Sequence, residues 1–174
     1  MEVPGFEPRD VRLRDGRLVR VRAVLPSDED EILQAFDRMG AEARYMRFMT
    51  ARRYANVERL RAVLASFPQD GMAIAATVRA PDGLDIVGTA SFVLLDQPEH
   101  CEFAISIVDA WAGAGLGRLL MQSLVDSASH RGLTRMQGYI LSSNRPMLHL
   151  AARLGFATHA DPDDHAVRIA TLAL

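Results

Sequence analysis

Residues 101–118 read CEFAISIVDAWAGAGLGR, and this stretch decides the fold. Its first half, Cys101 to Val108, is a mainly apolar run that is typical of a β-strand. Its second half brings three glycines to the start of an amphipathic helix, Gly113, Gly115 and Gly117. Because glycine has no Cβ, main-chain N–H groups can approach an anion there, and the helix dipole adds partial positive charge. The stretch therefore predicts that a phosphorylated cofactor is held at a strand–helix junction.

The composition fits one globular domain with a buried core. The chain has 174 residues, of which 49% are hydrophobic and 24% charged. Its formal net charge of −2 gives no overall attraction to nucleic acid or to a membrane, so we expect neither as a partner. No apolar run reaches the roughly 20 residues that cross a bilayer, and the N-terminus does not resemble a signal peptide. Because a lone cysteine, Cys101, excludes an intrachain disulfide, we expect a cytoplasmic protein.

The beginning of the chain divides into a tail and a hairpin. Residues 1–10 contain two prolines and a glycine and read as a loose N-terminal tail, which leaves residues 11–174 as a single domain. The dipeptide Asp15-Gly16 is a strong turn signal, and apolar and basic residues alternate after it. This pattern predicts a β-hairpin over residues 12–25.

Capping residues and apolar periodicity place the other elements. Ser27 is the expected N-cap of a first helix, which ends at Gly40. A second helix begins near Ala41, and Asn56 is expected to cap a third. The remaining strands are predicted at 71–79, 84–95, 99–108, 134–141, 156–159 and 165–172, and the remaining helices at 115–131 and 144–154.

The glycine motif is compatible with three classes of phosphorylated ligand. A Walker A loop ends in Gly-Lys-Ser/Thr, and all 20 basic residues of this chain are arginine. A dinucleotide-binding fold has an acidic residue about 20 positions further on, where this chain has Gln137 and Gly138. The antiparallel meander upstream also conflicts with a doubly wound parallel sheet. Coenzyme A, whose pyrophosphate can sit on the same kind of loop, is the remaining class.

Two motifs make the chain resemble the GNAT superfamily of acyl-CoA-dependent N-acyltransferases. The superfamily signature Gln/Arg-x-x-Gly-x-Gly/Ala is matched at residues 112–117, with Ala112 in place of the leading Gln or Arg. A second motif, an Asn that starts a helix ending in Gly-Phe, is matched by Asn144 and Gly155-Phe156. Three segments are most similar to the acetyltransferase module of Pat-type protein lysine acetyltransferases, namely residues 15–22, 44–48 and 144–147.

This resemblance implies both a fold and a cofactor site. The fold is α+β with three layers, α/β/α, around a mixed and mostly antiparallel sheet of about six or seven strands flanked by about four or five helices. Acetyl-CoA is the implied cosubstrate, bound through its pyrophosphate, its pantetheine amides and the Asn144 side chain. A simple N-cap is the alternative role for Asn144. The implied cofactor-binding residues are Ile107, Val108, Ala112, Gly113, Ala114, Gly115, Leu116, Gly117, Arg118 and Asn144.

The reaction implied by the resemblance needs a base. An alkyl amine has a pKa of about 10.4, so a side chain must accept its proton near neutral pH. Glu102 matches the glutamate that Pat-type relatives use, and strand alternation puts it on one face with Ala104 and Ser106. The usual general-acid tyrosine of the superfamily is replaced by Ala151. The histidines show no metal-ligand spacing, so we expect no metal.

The sequence therefore predicts an N-acetyltransferase that acts on a primary amine. A protein lysine is the first expected acceptor, and a small amine such as a polyamine, an amino acid or an antibiotic is the second. Residues 40–67 are expected to line the acceptor side, where an acidic cleft would suit polyamines and an open one a protein loop. A non-catalytic CoA-binding sensor module is an alternative, motivated by Ala112 and Ala151. Pairing of a free strand edge with a second copy would give a homodimer.

Overall fold

A single mixed sheet organises the computed structural model, which describes residues 6–174. Within these residues the sheet has eight strands in the order β1-β2-β3-β4-β5-β6-β8-β7, and all neighbours are antiparallel except β5 and β6. This confirms the predicted fold class, with slightly more strands than expected. The strands are β1 Arg9–Arg12, β2 Leu18–Ala23, β3 Gly71–Ala80, β4 Gly83–Leu94, β5 His100–Ile107, β6 Arg135–Leu141, β7 Ala157–Ala160 and β8 Val167–Ala173.

The predicted tail overlaps the first strand. Residues 1–5 lie outside the described part of the chain, so that part of the tail has no structural description. The sheet already begins at Arg9, which pairs with Val21 across the hairpin. Strand β1 therefore takes the last two residues of the tail predicted over 1–10.

Residues 6–174 contain five α-helices, which agrees with the predicted number. They are α1 Glu29–Asp37, α2 Ala41–Phe48, α3 Val57–Ser66, α4 Leu116–His130 and α5 Arg145–Arg153. The Asn56 cap is confirmed, because its Oδ1 accepts a hydrogen bond from the Arg59 N–H at 2.9 Å. The Ser27 cap is wrong, because Ser27 lies in a 3-10 turn and α1 begins after Asp28.

Helices cover both faces of the sheet. Helix α4 packs on one face, where Gly88 of β4 leaves room for the side chains of Leu116 and Leu120. Helices α1 and α3 pack on the other face, around a smaller core that includes Ala35 and Leu64. The buried apolar surface on both sides holds the sheet between two helical layers.

Strands β5 and β6 separate soon after they meet. Their parallel pairing covers three residue pairs, from His100 with Arg135 to Glu102 with Gln137, although β5 continues to Ile107. The Phe103 ring lies so close to Gly138 that a Cβ at that position would overlap it. The Phe103 ring therefore packs over β6 where the strands diverge, and a cleft opens beside the last residues of β5.

Candidate active site

The loop that follows β5 depends on two glycines. Gly113 has φ of 79° and Gly115 has φ of 91°, which is the left-handed region that other residues rarely adopt. Gly115 is also the N-cap of α4, so the second left-handed residue turns the chain directly into the helix. The loop after β5 thus ends at a helix N-terminus, as the sequence predicts.

Six consecutive main-chain N–H groups of this loop point to no protein acceptor. Within residues 6–174, the N–H groups of 113–118 donate no hydrogen bond, and the first intrahelical bond runs from Leu119 to Gly115 at 3.1 Å. Free N–H groups at a helix N-terminus, together with the helix dipole, make a site for an anion. The residues present therefore fit a diphosphate group.

The carbonyl side of the same loop is held by the β1–β2 hairpin. The Arg14 N–H donates to the Ala114 carbonyl at 3.2 Å, and the Arg14 Nη2 donates to the Gly113 carbonyl at 3.2 Å. The Arg17 guanidinium lies 3.9 Å from the centre of the Trp111 ring. These contacts occupy the carbonyl groups and leave the N–H groups for a ligand. No local sequence pattern marks Arg14 or Arg17 as part of the site, although both flank the predicted hairpin turn.

The end of β5 presents one free main-chain edge to the cleft. The Val108 N–H donates to the Val87 carbonyl at 3.0 Å, and the Val108 carbonyl accepts from Trp111. Main-chain groups along an antiparallel strand point alternately to its two neighbours. The N–H and C=O groups of Ile105 and Ile107 therefore point away from β4, toward the side from which β6 has diverged. Ile107 is therefore free to pair with a ligand, as is Ile105, whereas both main-chain groups of Val108 already have partners.

Asn144 caps a helix and keeps a free side-chain donor beside the cleft. Its Oδ1 accepts a hydrogen bond from the Met147 N–H at 3.2 Å, which caps α5. The side-chain NH₂ has no acceptor among the described residues, and Asn144 lines the cleft. The cap therefore fixes the orientation of the amide and leaves its donor for a ligand.

Glu102 lies on the face of β5 that looks toward α2 and α3. Its carboxylate is half-buried and has no hydrogen-bond or ion-pair partner within residues 6–174. Burial raises the pKa of the Glu102 carboxyl, and the positive charges of Arg47 and Arg59 oppose that rise. A carboxylate with a raised pKa and free oxygens can accept a proton from a group in the cleft.

Three arginines surround the same part of the cleft. Arg47, Arg52 and Arg59, which we call the arginine cluster, come from α2, from the loop after it and from α3. The Arg47 Nε donates to the Ser106 hydroxyl at 3.1 Å. Burial and the like charge of Arg59 lower the pKa of Arg47 to about 10, so its guanidinium stays charged near neutral pH. The acceptor side of the cleft therefore carries cationic groups around one carboxylate.

The structure also places the residues at which the chain departs from the superfamily pattern. Ala151 is completely buried in the core and offers no proton donor. Ala112 is exposed beside the loop and contributes no polar side chain.

Cys101 is buried, and burial raises the pKa of its thiol to about 12, so it remains a protonated core residue. Tyr139 lines the cleft from β6, and no sequence motif marks its phenol.

One cleft connects these groups. It has a volume of about 1040 Å³, and both the glycine loop and the arginine cluster line it. In the described part of the chain, no cluster of histidine, cysteine or carboxylate side chains could hold a metal ion. None of the helices described is both long and apolar enough to pass through a bilayer.

Known proteins are similar to this chain in sequence and in fold. Residues 19–157 match the family model of the acetyltransferase (GNAT) domain. Acetyltransferase PA5475 of Pseudomonas aeruginosa is 32% identical over 162 residues, which cover 93% of this chain and 87% of that protein. Acetyltransferase Pat of Mycolicibacterium smegmatis is 29% identical over 85% of this chain, which spans only 44% of that protein. The GNAT domain of S. lividans PAT superposes with a TM-score of 0.85 at 21% identity, covering 96% of this chain and 97% of that domain.

Proposed function

Because the chain belongs to the GNAT acetyltransferase family, we propose that it transfers the acetyl group of acetyl-CoA to a primary amine, first of all a protein lysine, with Glu102 as general base. The observation that carries the proposal is the cleft itself. The helix N-terminus with six free N–H groups borders the cleft at Gly113 and Gly117, and the Glu102 carboxylate, which has no partner among the described residues, lines the same cleft. The resemblance of residues 15–22, 44–48 and 144–147 to Pat-type protein lysine acetyltransferases favours lysine as the acceptor.

We assign each part of the cosubstrate to groups of this chain. The N–H groups of 113–118 would hold the diphosphate, with the exposed Arg118 guanidinium in the first turn of α4 adding positive charge. The free main-chain groups of Ile107 would pair with the pantetheine amides as an added strand does. The Asn144 NH₂ would donate to a pantetheine carbonyl. Val108 and Ala112 would support this site by shape, since neither offers a free polar side chain.

The proposed chemistry is direct attack of the amine on the thioester. The amine nitrogen forms a bond to the acyl carbon, the carbon–sulfur bond breaks, and the nitrogen loses a proton to the Glu102 carboxylate. The raised pKa of Glu102 suits this step, because a base is most effective when its pKa lies near the working pH. Ala151 cannot protonate the departing sulfur, but a thiol pKa of about 8.5 makes the thiolate a good leaving group.

The Glu102→Gln variant tests the assignment of the base. The amide keeps the size of the side chain but cannot accept the proton, so we expect kcat/KM to fall by about 10²- to 10⁴-fold. Coenzyme A affinity, measured by calorimetry, should stay unchanged because Glu102 lies away from the glycine loop. An unchanged turnover rate would remove Glu102 from the mechanism.

A second candidate function is favoured by Ala112 and Ala151, which lack the polar groups of the superfamily pattern. A non-catalytic module would bind acetyl-CoA and transfer its acetyl group to nothing. A screen with labelled acetyl-CoA should include lysine peptides, whole-lysate proteins, polyamines and amino acids. Labelling of proteins supports the lysine assignment, and labelling of small amines alone supports a small-molecule acceptor. Binding without any transfer supports the sensor module.

A further inference from the structure

The arginine cluster has unused hydrogen-bonding capacity. Among the residues the structure describes, Arg47, Arg52 and Arg59 form no ion pair with any carboxylate. The one side-chain hydrogen bond in the cluster joins the Arg47 Nε to Ser106. Each guanidinium carries five N–H donors in a planar fork that matches a carboxylate. Most of the donors of the cluster therefore have no protein acceptor.

Arg52 shows this most clearly. Its Nε is buried and has no hydrogen-bond partner within residues 6–174. Buried polar groups in proteins are nearly always paired, because an unpaired one loses its hydrogen bonds to water without replacement. Arg52 also lines the cleft, so an acceptor group entering the cleft can supply the missing partner.

A neighbouring aromatic ring arranges two of the guanidiniums. The Arg47 guanidinium carbon lies 4.7 Å from the centre of the Phe48 ring, and that of Arg52 lies 5.4 Å from the same ring. A cation over an aromatic face is held by the ring without using its N–H groups. Phe48 therefore brings two like charges together and leaves their donors free, except for the Arg47 Nε, which bonds to Ser106.

The other carboxylates of the cleft do not neutralise the cluster. Glu42 is exposed in the first turn of α2, and Asp109 accepts hydrogen bonds from the Gly40 N–H at the start of the same helix. Arg47 lies in the last turn of α2 and Arg52 follows it. The positive charge is thus concentrated at one end of the cleft, close to Ser106 and Glu102 of β5.

We propose that the amine acceptor carries a carboxylate near its amine, and that Arg52, with Arg47 beside it, binds this carboxylate while Glu102 faces the amine. The inference rests on the proposed function and names its acceptor class. A polyamine would bring a second cation to the cluster, so the arrangement disfavours it. The carboxylate can belong to an acidic residue next to a lysine in a protein, or to a small amino acid.

The test uses two matched pairs of acceptors. One pair is a lysine peptide with aspartate beside the lysine and the same peptide with asparagine there. The other is 6-aminohexanoate and its amide. The wild-type enzyme should favour the carboxylate member of at least one pair by about tenfold or more in kcat/KM. A preference in the peptide pair alone indicates a protein acceptor, and a preference in the small pair alone indicates a small molecule.

The Arg52→Gln variant separates recognition from a structural role. It should lower kcat/KM for the carboxylate acceptor about tenfold and leave the amide acceptor unchanged, whereas a damaged fold would lower both. Arg53→Gln is the matched control, because Arg53 is exposed and adjacent but does not line the cleft. Equal rates for both members of both pairs, or an equal loss on both in Arg52→Gln, would overturn the inference.

Binding measurements keep the two proposals distinguishable. If no acceptor is acetylated, the proposed transfer fails, and calorimetric titration of the same four acceptors into the protein with bound coenzyme A decides the inference alone. Tighter binding of a carboxylate member that is lost in Arg52→Gln supports it. Equal binding of acid and amide contradicts it.

Discussion

At the scale of single residues, the environment of Glu102 decides what its carboxylate can do. Burial pushes its pKa up, and Arg47 and Arg59 hold it down, so the three side chains set the acid–base behaviour of the cleft together. The base must be deprotonated to act. The rate of the proposed reaction should therefore rise with pH through the pKa of Glu102, which lies above its ordinary value.

Replacing Arg47 by glutamine should shift the pH dependence of the rate to higher pH. Loss of the positive charge removes a stabiliser of the carboxylate, so the pKa of Glu102 rises further and the acidic limb of the pH–kcat/KM profile shifts to higher pH. The ionisation of the acceptor amine is common to both enzymes and cannot cause the difference. Arg53→Gln should leave the limb in place, and an unmoved limb in Arg47→Gln would contradict the coupling.

Some of the candidate site residues can be predicted from the sequence, and others cannot. The glycine loop and Asn144 are local motifs, and the face on which Glu102 lies follows from strand alternation. The arginine cluster has no such local signature. Arg47 meets Ser106 across 59 positions of sequence, so only the packing of α2 on β5 brings them together.

At the scale of secondary-structure elements, the β1–β2 hairpin supports the glycine loop from behind. The hairpin turn places Arg14 against the carbonyl groups of Gly113 and Ala114, far along the chain. These bonds fix the peptide planes whose N–H groups point the other way. The hairpin is therefore a positioning element for the proposed cosubstrate site.

Arg14→Ala should weaken coenzyme A binding without stopping the chemistry. Loss of one side-chain hydrogen bond is worth about 1 kcal/mol, so we expect the Kd measured by calorimetry to rise by roughly fivefold. Saturating kcat should change little. Arg12→Ala is the control, because its guanidinium bonds the Gly16 carbonyl in the same turn and does not reach the glycine loop. The same rise in both variants would mean that the whole hairpin, and not Arg14, is responsible.

The elements themselves are largely predictable, and the failures have physical causes. Helix and strand limits fall within a few residues of the predicted ones, because caps and turns are local signals. The Ser27 cap fails because the neighbouring Asp28 carboxylate binds the Leu25 N–H at 2.8 Å and pairs with Arg22. A buried ion pair between β2 and the start of α1 thus shapes the turn, and no local pattern indicates it.

At the scale of the whole molecule, this ion pair joins the sheet to the first helix. The Arg22 guanidinium binds both oxygens of Asp28, at 2.7 and 2.8 Å. Burial works to raise the pKa of Asp28, but the hydrogen bonds from Arg22 and Leu25 and the charge of Arg22 together hold it below its ordinary value of 3.8. The carboxylate therefore contributes stability above about pH 4, which is lost as the pH falls through its lowered pKa.

Asp28→Ala should lower the free energy of unfolding by about 3 kcal/mol at pH 7, because it leaves the guanidinium of Arg22 without its partner in a largely buried place. Urea denaturation at several pH values measures this. The difference from wild type should shrink as the pH falls below about 4 and through the lowered pKa of the folded-state carboxylate. Asp10→Ala, which breaks the exposed pair with Arg20, should cost less than about 1 kcal/mol. Similar losses in both variants would refute the importance of burial.

The divergence of β5 from β6 has a consequence for how the protein responds to its cosubstrate. Within residues 6–174, three residue pairs between β5 and β6 connect strands β1–β5 of the sheet to strands β6–β8. A pantetheine arm lying along Ile107 would pair with β5 as an added strand does, in the gap where β5 and β6 have separated. Cosubstrate bound there would therefore also stiffen the junction between the two parts of the sheet.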